Sequence, residues 1–330
     1  MNRLSKQAVW LVALAAAATT ALCDVPMKSW GKPDLQGTWD FRSITPFQRP
    51  EYFKDKEYVT AEERAEFEKS VRDRRAARAE NKEFTQGQGD VDVGYNAFFL
   101  DQGTKMTGTM RTSLLIDPPS GRLPPMKEAA SERMAGIIKL QERSPIGPED
   151  RNFTDRCILG FNAGPPMTPG AYNNIMEIVQ TEDYVAILVE MVNDHRVIPT
   201  HGGEALPEHM RLWKGDSRGV WEGDTFVVTT SNFNRFTNFR GTTPDMVLTE
   251  RFTRTGEDTL LYQYTVDDPN AYEATWTSEL EMQRTDDLVY EYACHEGNYA
   301  MPLMLKGARK LEAQGLEDDN WLPSWHKRSR

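Results

Sequence analysis

The stretch NNIMEIVQTEDYVAILVEMV, residues 173–192, decides the fold. Two mainly apolar runs flank Glu182 and Asp183, which are residues typical of tight turns. A two-residue turn at this point predicts an antiparallel hairpin in which Thr181 lies opposite Tyr184. The register of the whole hairpin follows from that pair, because antiparallel partners keep step along both strands.

Two carboxylates fall on one face of this predicted hairpin. Glu177 lies opposite Leu188, and Glu190 lies opposite Ile175, so the two glutamates are diagonal neighbours about 7–8 Å apart. Asn173 shares their face. In a pocket, one carboxylate must stay protonated or be neutralised by an arginine or a metal, and either outcome suits acid–base chemistry. The alternative is that this face meets solvent, since the opposite face is more apolar.

Histidines crowd the segment that follows. Three of the five in the chain are His195, His201 and His209. Three interpretations remain open. The histidines can bind a metal with Glu204 or Glu208, form an acid–base pair with a hairpin glutamate, or serve only as hydrogen-bonding loop residues. Their spacing matches no helical metal motif.

Short apolar segments separated by turn residues continue to the C-terminal part of the chain. This spacing predicts a mainly β fold, an antiparallel meander that closes into a barrel. The predicted strands are residues 36–41, 173–181, 184–192, 195–199, 211–213, 220–221, 225–231, 247–254, 259–266, 273–283 and 288–293, with a further hairpin over 111–123.

Flanking helices are predicted at both ends of the chain. Thr60 and Glu63 match a capping box at the start of a charged helix. Further helices are predicted over residues 126–143 and 301–314.

The N-terminus resembles a secretory signal. Arg3 and Lys6 precede an apolar run, and cleavage after residue 23 fits the small residues there. Lipid attachment at Cys23 is the alternative. The expected organisation is a signal peptide over 1–23, an N-terminal extension over 24–171 with a first strand, helices and loops, and the main barrel with its closing helix over 172–330.

Two cysteines remain after the predicted cleavage, Cys157 and Cys294. In an exported protein an even number of cysteines predicts a disulfide, and two free buried thiols are the alternative. Zinc is disfavoured because the chain has no CxxC pair.

Gly37, Thr38 and Trp39 open the first predicted strand. This Gly-x-Trp tripeptide resembles the signature of lipocalin-like (calycin) barrels. The resemblance implies that Trp39 closes one end of a barrel and that an arginine from a late strand packs over it. The candidates for that role are Arg251, Arg254 and Arg284.

Three longer phrases resemble a large set of exported bacterial proteins of unassigned activity. They are KGDSRGVWEGDT over 214–225, ERFT over 250–253 and YEYACHEGN over 290–298. This resemblance implies export and a β-barrel and supplies almost no chemistry.

Function is predicted only in outline. The leading hypothesis is a cofactor-free lyase, hydratase or isomerase acting on an apolar or aromatic small molecule. The alternatives are a lipocalin-like carrier of a hydrophobic ligand and a metal-dependent hydrolase. The predicted catalytic residues are Glu177, Glu190, His195 and His201, and the predicted substrate-binding residues are Tyr172, Asn173, Arg196, Arg211, Trp213, Tyr262 and Tyr264.

Net charge and hydropathy argue against nucleic-acid and membrane partners. The net charge of −11 argues against nucleic acid and anionic membrane surfaces. After the first residues, no apolar run is long enough to span a bilayer. We therefore expect no nucleic-acid partner and no transmembrane segment. The oligomeric state does not follow from the sequence.

Overall fold

A computed structural model describes residues 25–80, 101–236 and 238–315, without the side chains of residues 78–80. The predicted signal peptide and Cys23 lie outside these residues. The strands are β1 (Gly37–Asp40), β2 (Leu115–Asp117), β3 (Ile175–Gln180), β4 (Tyr184–Val189), β5 (Asp194–Pro199), β6 (Asp216–Glu222), β7 (Thr225–Ser231), β8 (Val247–Arg254), β9 (Thr259–Asp267) and β10 (Trp276–Arg284). The helices are α1 (Ala61–Glu80), α2 (Glu128–Glu142), α3 (Cys294–Gly297) and α4 (Ala300–Ala313).

One antiparallel sheet contains all these strands and nearly closes into a barrel. The order is β5-β4-β3-β1-β10-β9-β8-β7-β6, and β2 pairs with β10 beside β1. Near the two outer strands of the sheet, β5 and β6, the Gly202 N–H donates a hydrogen bond to the Gly219 carbonyl at 2.9 Å. A side chain at Gly219 would meet the ring of Phe226 and the backbone of Pro199, so glycine is required for this close approach. The mainly β prediction is confirmed.

The hairpin register predicted from residues 173–192 is also confirmed. Glu177 pairs with Leu188, and the Glu190 N–H donates to the Ile175 carbonyl at 3.0 Å. The predicted capping box forms as well, because Thr60 and Glu63 each accept a hydrogen bond from the other's backbone N–H. Local sequence signals therefore set both elements.

Three predicted elements are wrong. Residues 288–293 form no strand, because β10 already pairs with β9 along one edge and with β1 and β2 along the other. Residues 111–123 form no hairpin. The N–H groups of Leu114 and Leu115 donate instead to Pro46 and Phe47, and β2 pairs with β10. Residues 211–213 make only an isolated bridge to Phe233.

Trp39 lies at one end of the barrel interior and is fully buried. Its indole N–H donates to the Leu35 carbonyl at 2.9 Å. Of the three candidate arginines, Arg254 packs over the ring, with 5.5 Å between the guanidinium carbon and the ring centroid. Arg254 also donates to three backbone carbonyls, those of Asp34, Gly256 and Glu257. Two side chains that contact each other, and that each donate hydrogen bonds to the backbone, therefore cover this end of the barrel.

An ion pair crosses the barrel interior. Arg196 on β5 makes two hydrogen bonds to Glu250 on β8, at 2.5 and 2.6 Å. Glu250 is fully buried, and it also accepts a hydrogen bond from the Tyr262 hydroxyl at 2.6 Å. The Met167 N–H completes the network by donating to that hydroxyl at 3.1 Å. Charges can remain buried only when paired in this way.

Cys157 and Cys294 form the predicted disulfide, with their Cα atoms 5.7 Å apart. The bond ties the long loop before β3 to the segment after β10. Among the described residues, no helix has the length and apolarity needed to cross a membrane.

Replacing both disulfide cysteines by serine should destabilise the protein. The bond spans 137 residues, and loss of a loop of that size costs roughly 4–5 kcal/mol in the chain-entropy model. Urea unfolding with and without dithiothreitol measures the effect. Equal stability of the double variant and the oxidised wild type would contradict the prediction.

Arg196→Met should cost about 3–5 kcal/mol, because it leaves Glu250 buried without a partner charge. The matched control is Arg251→Met on the same strand as Glu250. It breaks an exposed pair with Glu222 and should cost under about 1 kcal/mol. Arg196→Met combined with Glu250→Gln should recover most of the loss, since the amide carries no unpaired charge. Denaturant unfolding of wild type, the two single variants and the double variant measures these differences in the free energy of unfolding.

Candidate functional site

An open cavity of about 350 Å³ lies where β3 begins and β4 ends. Four parts of the chain contribute its walls: the residues just after β1, the segment at residue 101, the turn before β3 with the end of β4, and the segment after β10. The lining residues are Arg42, Asp101, Tyr172, Asn173, Asn174, Ile175, Glu190, Asp287, Leu288 and Tyr290.

Glu190 is the buried carboxyl group of this cavity, with 7% of its surface exposed. The last rung of the β3–β4 pairing fixes its backbone, and Asn173 donates a side-chain hydrogen bond to one carboxyl oxygen at 2.8 Å. Burial raises the pKa of Glu190, and the negative charges of Asp101 and Asp287 act in the same direction. The bond from Asn173 and the charge of Arg42 oppose this shift. Glu190 is therefore poised to exchange a proton.

Backbone strain surrounds Glu190. Asn173, Val192 and Asn193 have φ angles of 54°, 55° and 49°, in the left-handed region. Asparagine tolerates this region, but a β-branched residue such as Val192 adopts it only at a cost. Such strain costs about 1–3 kcal/mol per residue and concentrates at functional sites. The turn after β4 is thus held in a costly conformation beside the buried carboxyl group.

Arg42 supplies the positive charge of the cavity. Its guanidinium contacts Asp40 at 2.5 Å, Asp101 at 2.7 Å and Asp287 at 3.4 Å. The hydrogen bond that Arg42 donates to the Asp40 carboxylate is the main cause that raises the pKa of Arg42, so the guanidinium stays protonated. The pairs with Asp101 and Asp287 connect parts of the chain that are far apart in sequence, and they fix the cavity wall on the side of β1.

The structure brings together three of the predicted site residues. Glu190, Asn173 and Tyr172 all line the cavity. Glu177 has the predicted position on the same face but is half-exposed and does not line the cavity. The two glutamates therefore share a strand pair but not an environment.

The histidines do not join Glu190. His195 and His209 are exposed, and His201 is exposed and contacts Asp183 at 3.0 Å. Asp183 precedes β4 and Glu190 follows it, so His201 and Glu190 lie about 20 Å apart at the strand spacing of about 3.3 Å per residue. The described residues contain no group of three histidine, cysteine or acidic side chains that could hold a metal ion.

The other predicted binding residues lie in three different places. Arg196, Tyr262 and Tyr264 are inside the barrel. Arg211 pairs with the exposed Asp245 at 2.9 Å. Trp213 stacks on Phe236 with ring centroids 6.1 Å apart. None of these five residues lines the cavity at Glu190.

The barrel interior itself is filled by side chains. Beside Arg196 there is a space of only about 10 Å³, bounded by Ala163, Gly164 and the walls of β4 and β5. Tyr262 and Tyr264 pack against each other with ring centroids 5.7 Å apart. These tyrosines are core residues and do not line an open lumen.

Sequence reasoning missed Arg42, Asp101 and Asp287. None of them belongs to a motif, and each lies in an irregular segment outside the strands. Only the three-dimensional arrangement brings them beside Glu190.

No protein-family model matches the chain, and a search of curated proteins gives no match. The chemistry of the cavity follows from its own side chains. A carboxyl group of raised pKa can donate or accept a proton, an arginine can stabilise a developing negative charge, and the rings of Tyr172 and Tyr290 can contact an apolar group.

The raised pKa of Glu190 predicts a pH-dependent stability difference between wild type and Glu190→Gln. Folding makes ionisation of Glu190 harder, so wild type loses stability as the pH rises from the unfolded-state value, about 4.3, through the folded-state value. The variant lacks this loss. Its stability relative to wild type should therefore improve from about pH 4 to pH 7, as measured by urea unfolding. A difference that is constant with pH would contradict the shift.

Proposed function

We propose that this protein is an exported enzyme that moves protons on a small molecule bound in the cavity around Glu190. The burial of Glu190 in an open cavity carries the proposal. The reaction is of lyase, hydratase or isomerase type, and the substrate has an apolar or aromatic part that contacts Tyr172 and Tyr290.

Each residue has a distinct role in the proposed step. The Glu190 carboxylate takes a proton from a substrate carbon next to a carbonyl group, and the electron pair of the broken C–H bond moves to the carbonyl oxygen. Arg42 stabilises the resulting oxyanion. Glu190 then returns the proton to the far carbon of a double bond conjugated with the enolate, which shifts that double bond as in an isomerase, or to a hydroxyl group that departs from the carbon next to the deprotonated one, as in a lyase. Asn173 positions the carboxyl group.

Two further statements belong to the same proposal. The Cys157–Cys294 disulfide supports export, because disulfides persist in oxidising compartments. Trp39 beneath Arg254 supports a relationship to lipocalin-like barrels. The filled barrel interior favours an enzyme with an outer site over a carrier that encloses its ligand.

Proton exchange in D₂O tests the enzyme directly. Wild type is incubated with a panel of aromatic and aliphatic ketones and 3-hydroxy acids, and ¹H NMR follows the loss of the acidic C–H signals. Glu190→Gln should slow the exchange by about 10²–10⁴-fold, the usual contribution of an acid–base group. Glu177→Gln removes a carboxylate from the same strand pair outside the cavity and should leave the rate unchanged.

The outcome separates the candidate functions. Exchange that survives in Glu190→Gln would refute the role of Glu190. Binding of panel compounds without any exchange would favour a carrier. Circular dichroism and thermal unfolding of both variants establish that the fold is intact.

A further inference from the structure

Another open cavity, of about 320 Å³, lies beside the long N-terminal helix α1. The middle of α1 forms one wall, and the segments at residues 43–45, 102 and 169–170 form the others. This volume is sufficient for a small molecule. We call this space the α1 cavity.

The charged side chains that line the α1 cavity are both cationic. They are Arg74 and Arg75, and no described aspartate or glutamate lines the cavity with them. Arg75 donates hydrogen bonds to two neutral groups, the Gly103 carbonyl and the side-chain oxygen of Gln102. Among the described residues, neither arginine forms an ion pair. Two positive charges therefore remain uncompensated at one cavity, although the net charge of the chain is −11.

Two buried hydroxyl groups at the α1 cavity have hydrogens that they do not use. Ser43 and Thr45 line the cavity and are 8% and 4% exposed. The Ser43 oxygen accepts from the Thr45 N–H at 3.1 Å, and the Thr45 side-chain oxygen accepts from the Thr107 N–H at 2.9 Å. Each hydroxyl also has one hydrogen to donate, and no described residue accepts it. Because buried polar groups normally have partners, these two donors call for an acceptor that enters the cavity.

The free polar groups of the α1 cavity are thus mainly donors. Arginine has no acceptor atom, and the Gln102 side-chain oxygen is already bonded to Arg75, which leaves the amide N–H groups of Gln102 free to donate. Together with the two hydroxyls, this set matches a ligand group that has several acceptor oxygens. Its charge should be near −2, because two arginines lack a partner. A phosphate monoester meets both requirements, and arginine binds phosphate oxygens well.

Part of the α1 cavity is apolar. Phe67 and Val71 lie one turn apart on α1 and line the cavity together with Ile44 and Pro169. The Phe67 ring is held from behind by Phe53, with ring centroids 5.8 Å apart. A small organic group attached to the phosphate therefore has an apolar surface to contact.

The α1 cavity is separate from the cavity at Glu190. Asp101 lines the Glu190 cavity, and the next residue, Gln102, lines the α1 cavity. The Asp101 N–H donates to the Ala171 carbonyl at 2.8 Å and fixes the segment between the two spaces. The two cavities share no lining residue.

We propose that the α1 cavity binds a phosphate monoester with a small organic group. Arg74 and Arg75 bind the phosphate with the hydroxyls of Ser43 and Thr45, and the organic group contacts Phe67 and its apolar neighbours. This site does not depend on the proposed enzyme activity.

Butyl phosphate, pentanoate and 1-butanol are the matched probes, because they share a four-carbon chain and differ in charge. Isothermal titration at pH 8, where a phosphate monoester is a dianion, should detect binding of butyl phosphate. Pentanoate has one charge fewer and should bind about tenfold more weakly or less, and 1-butanol should show no binding. A shift of the ¹⁵N-labelled Gln102 side-chain amide should locate the ligand.

Arg74→Met is the decisive variant. Among the described residues the Arg74 side chain forms no hydrogen bond, so its replacement removes the charge without breaking a contact within the fold. The affinity for butyl phosphate should fall about tenfold to hundredfold, the usual effect of losing a hydrogen bond to a charged group. Ser43→Ala should weaken binding about threefold to tenfold.

Arg72→Met is the matched control variant. Arg72 is an exposed arginine on the same helix but does not line the α1 cavity. Its replacement removes the same charge and should change the affinity for butyl phosphate less than twofold. Thermal unfolding establishes that each variant keeps its fold.

Four results would overturn the proposal. They are no binding of butyl phosphate, binding of pentanoate as tight as that of butyl phosphate, binding unaffected by Arg74→Met, and an equal loss in Arg72→Met and Arg74→Met. The last result would mean that the anion responds only to the overall charge of α1.

Discussion

The ion pair between Arg196 and Glu250 is the constraint on which the rest of the barrel depends. Glu250 is a charged side chain in the centre of the lumen, and such a group is tolerated only when a partner reaches it. That partner is on β5, an outer strand of the sheet. The pair therefore ties one edge of the sheet across the interior to β8, which favours the curvature that brings β5 toward β6.

The same network determines where a ligand can bind. Tyr262 contacts Glu250 from within the barrel, and the Met167 N–H contacts Tyr262, so the loop before β3 is drawn toward the interior. Side chains then fill the space that an open barrel would offer to a ligand. The cavity at Glu190 lies on the outer face, where the barrel meets the segments packed around it.

Much of the fold was predictable because its signals are local. Period-two alternation and a two-residue turn fixed the register at Glu177 and Glu190, and a capping box fixed the start of α1. Competition between distant segments for the edges of one strand was not predictable in the same way. Residues 288–293 have the alternation of a strand, but both edges of β10 are already occupied, and nothing near residue 288 in the sequence records that.

The candidate site shows the same limit for individual side chains. Alternation tells which residues share a face but not which part of that face is covered. Glu177 and Glu190 share a face, and the difference between them arises because the segments carrying Asp101 and Asp287 reach only the end of the hairpin at Glu190. Arg42 holds both segments there through its ion pairs. The burial of Glu190, and with it the raised pKa of its carboxyl group, therefore depends on long-range contacts. Residues that cluster along the sequence, such as the histidines, are a poor guide to a site of this kind.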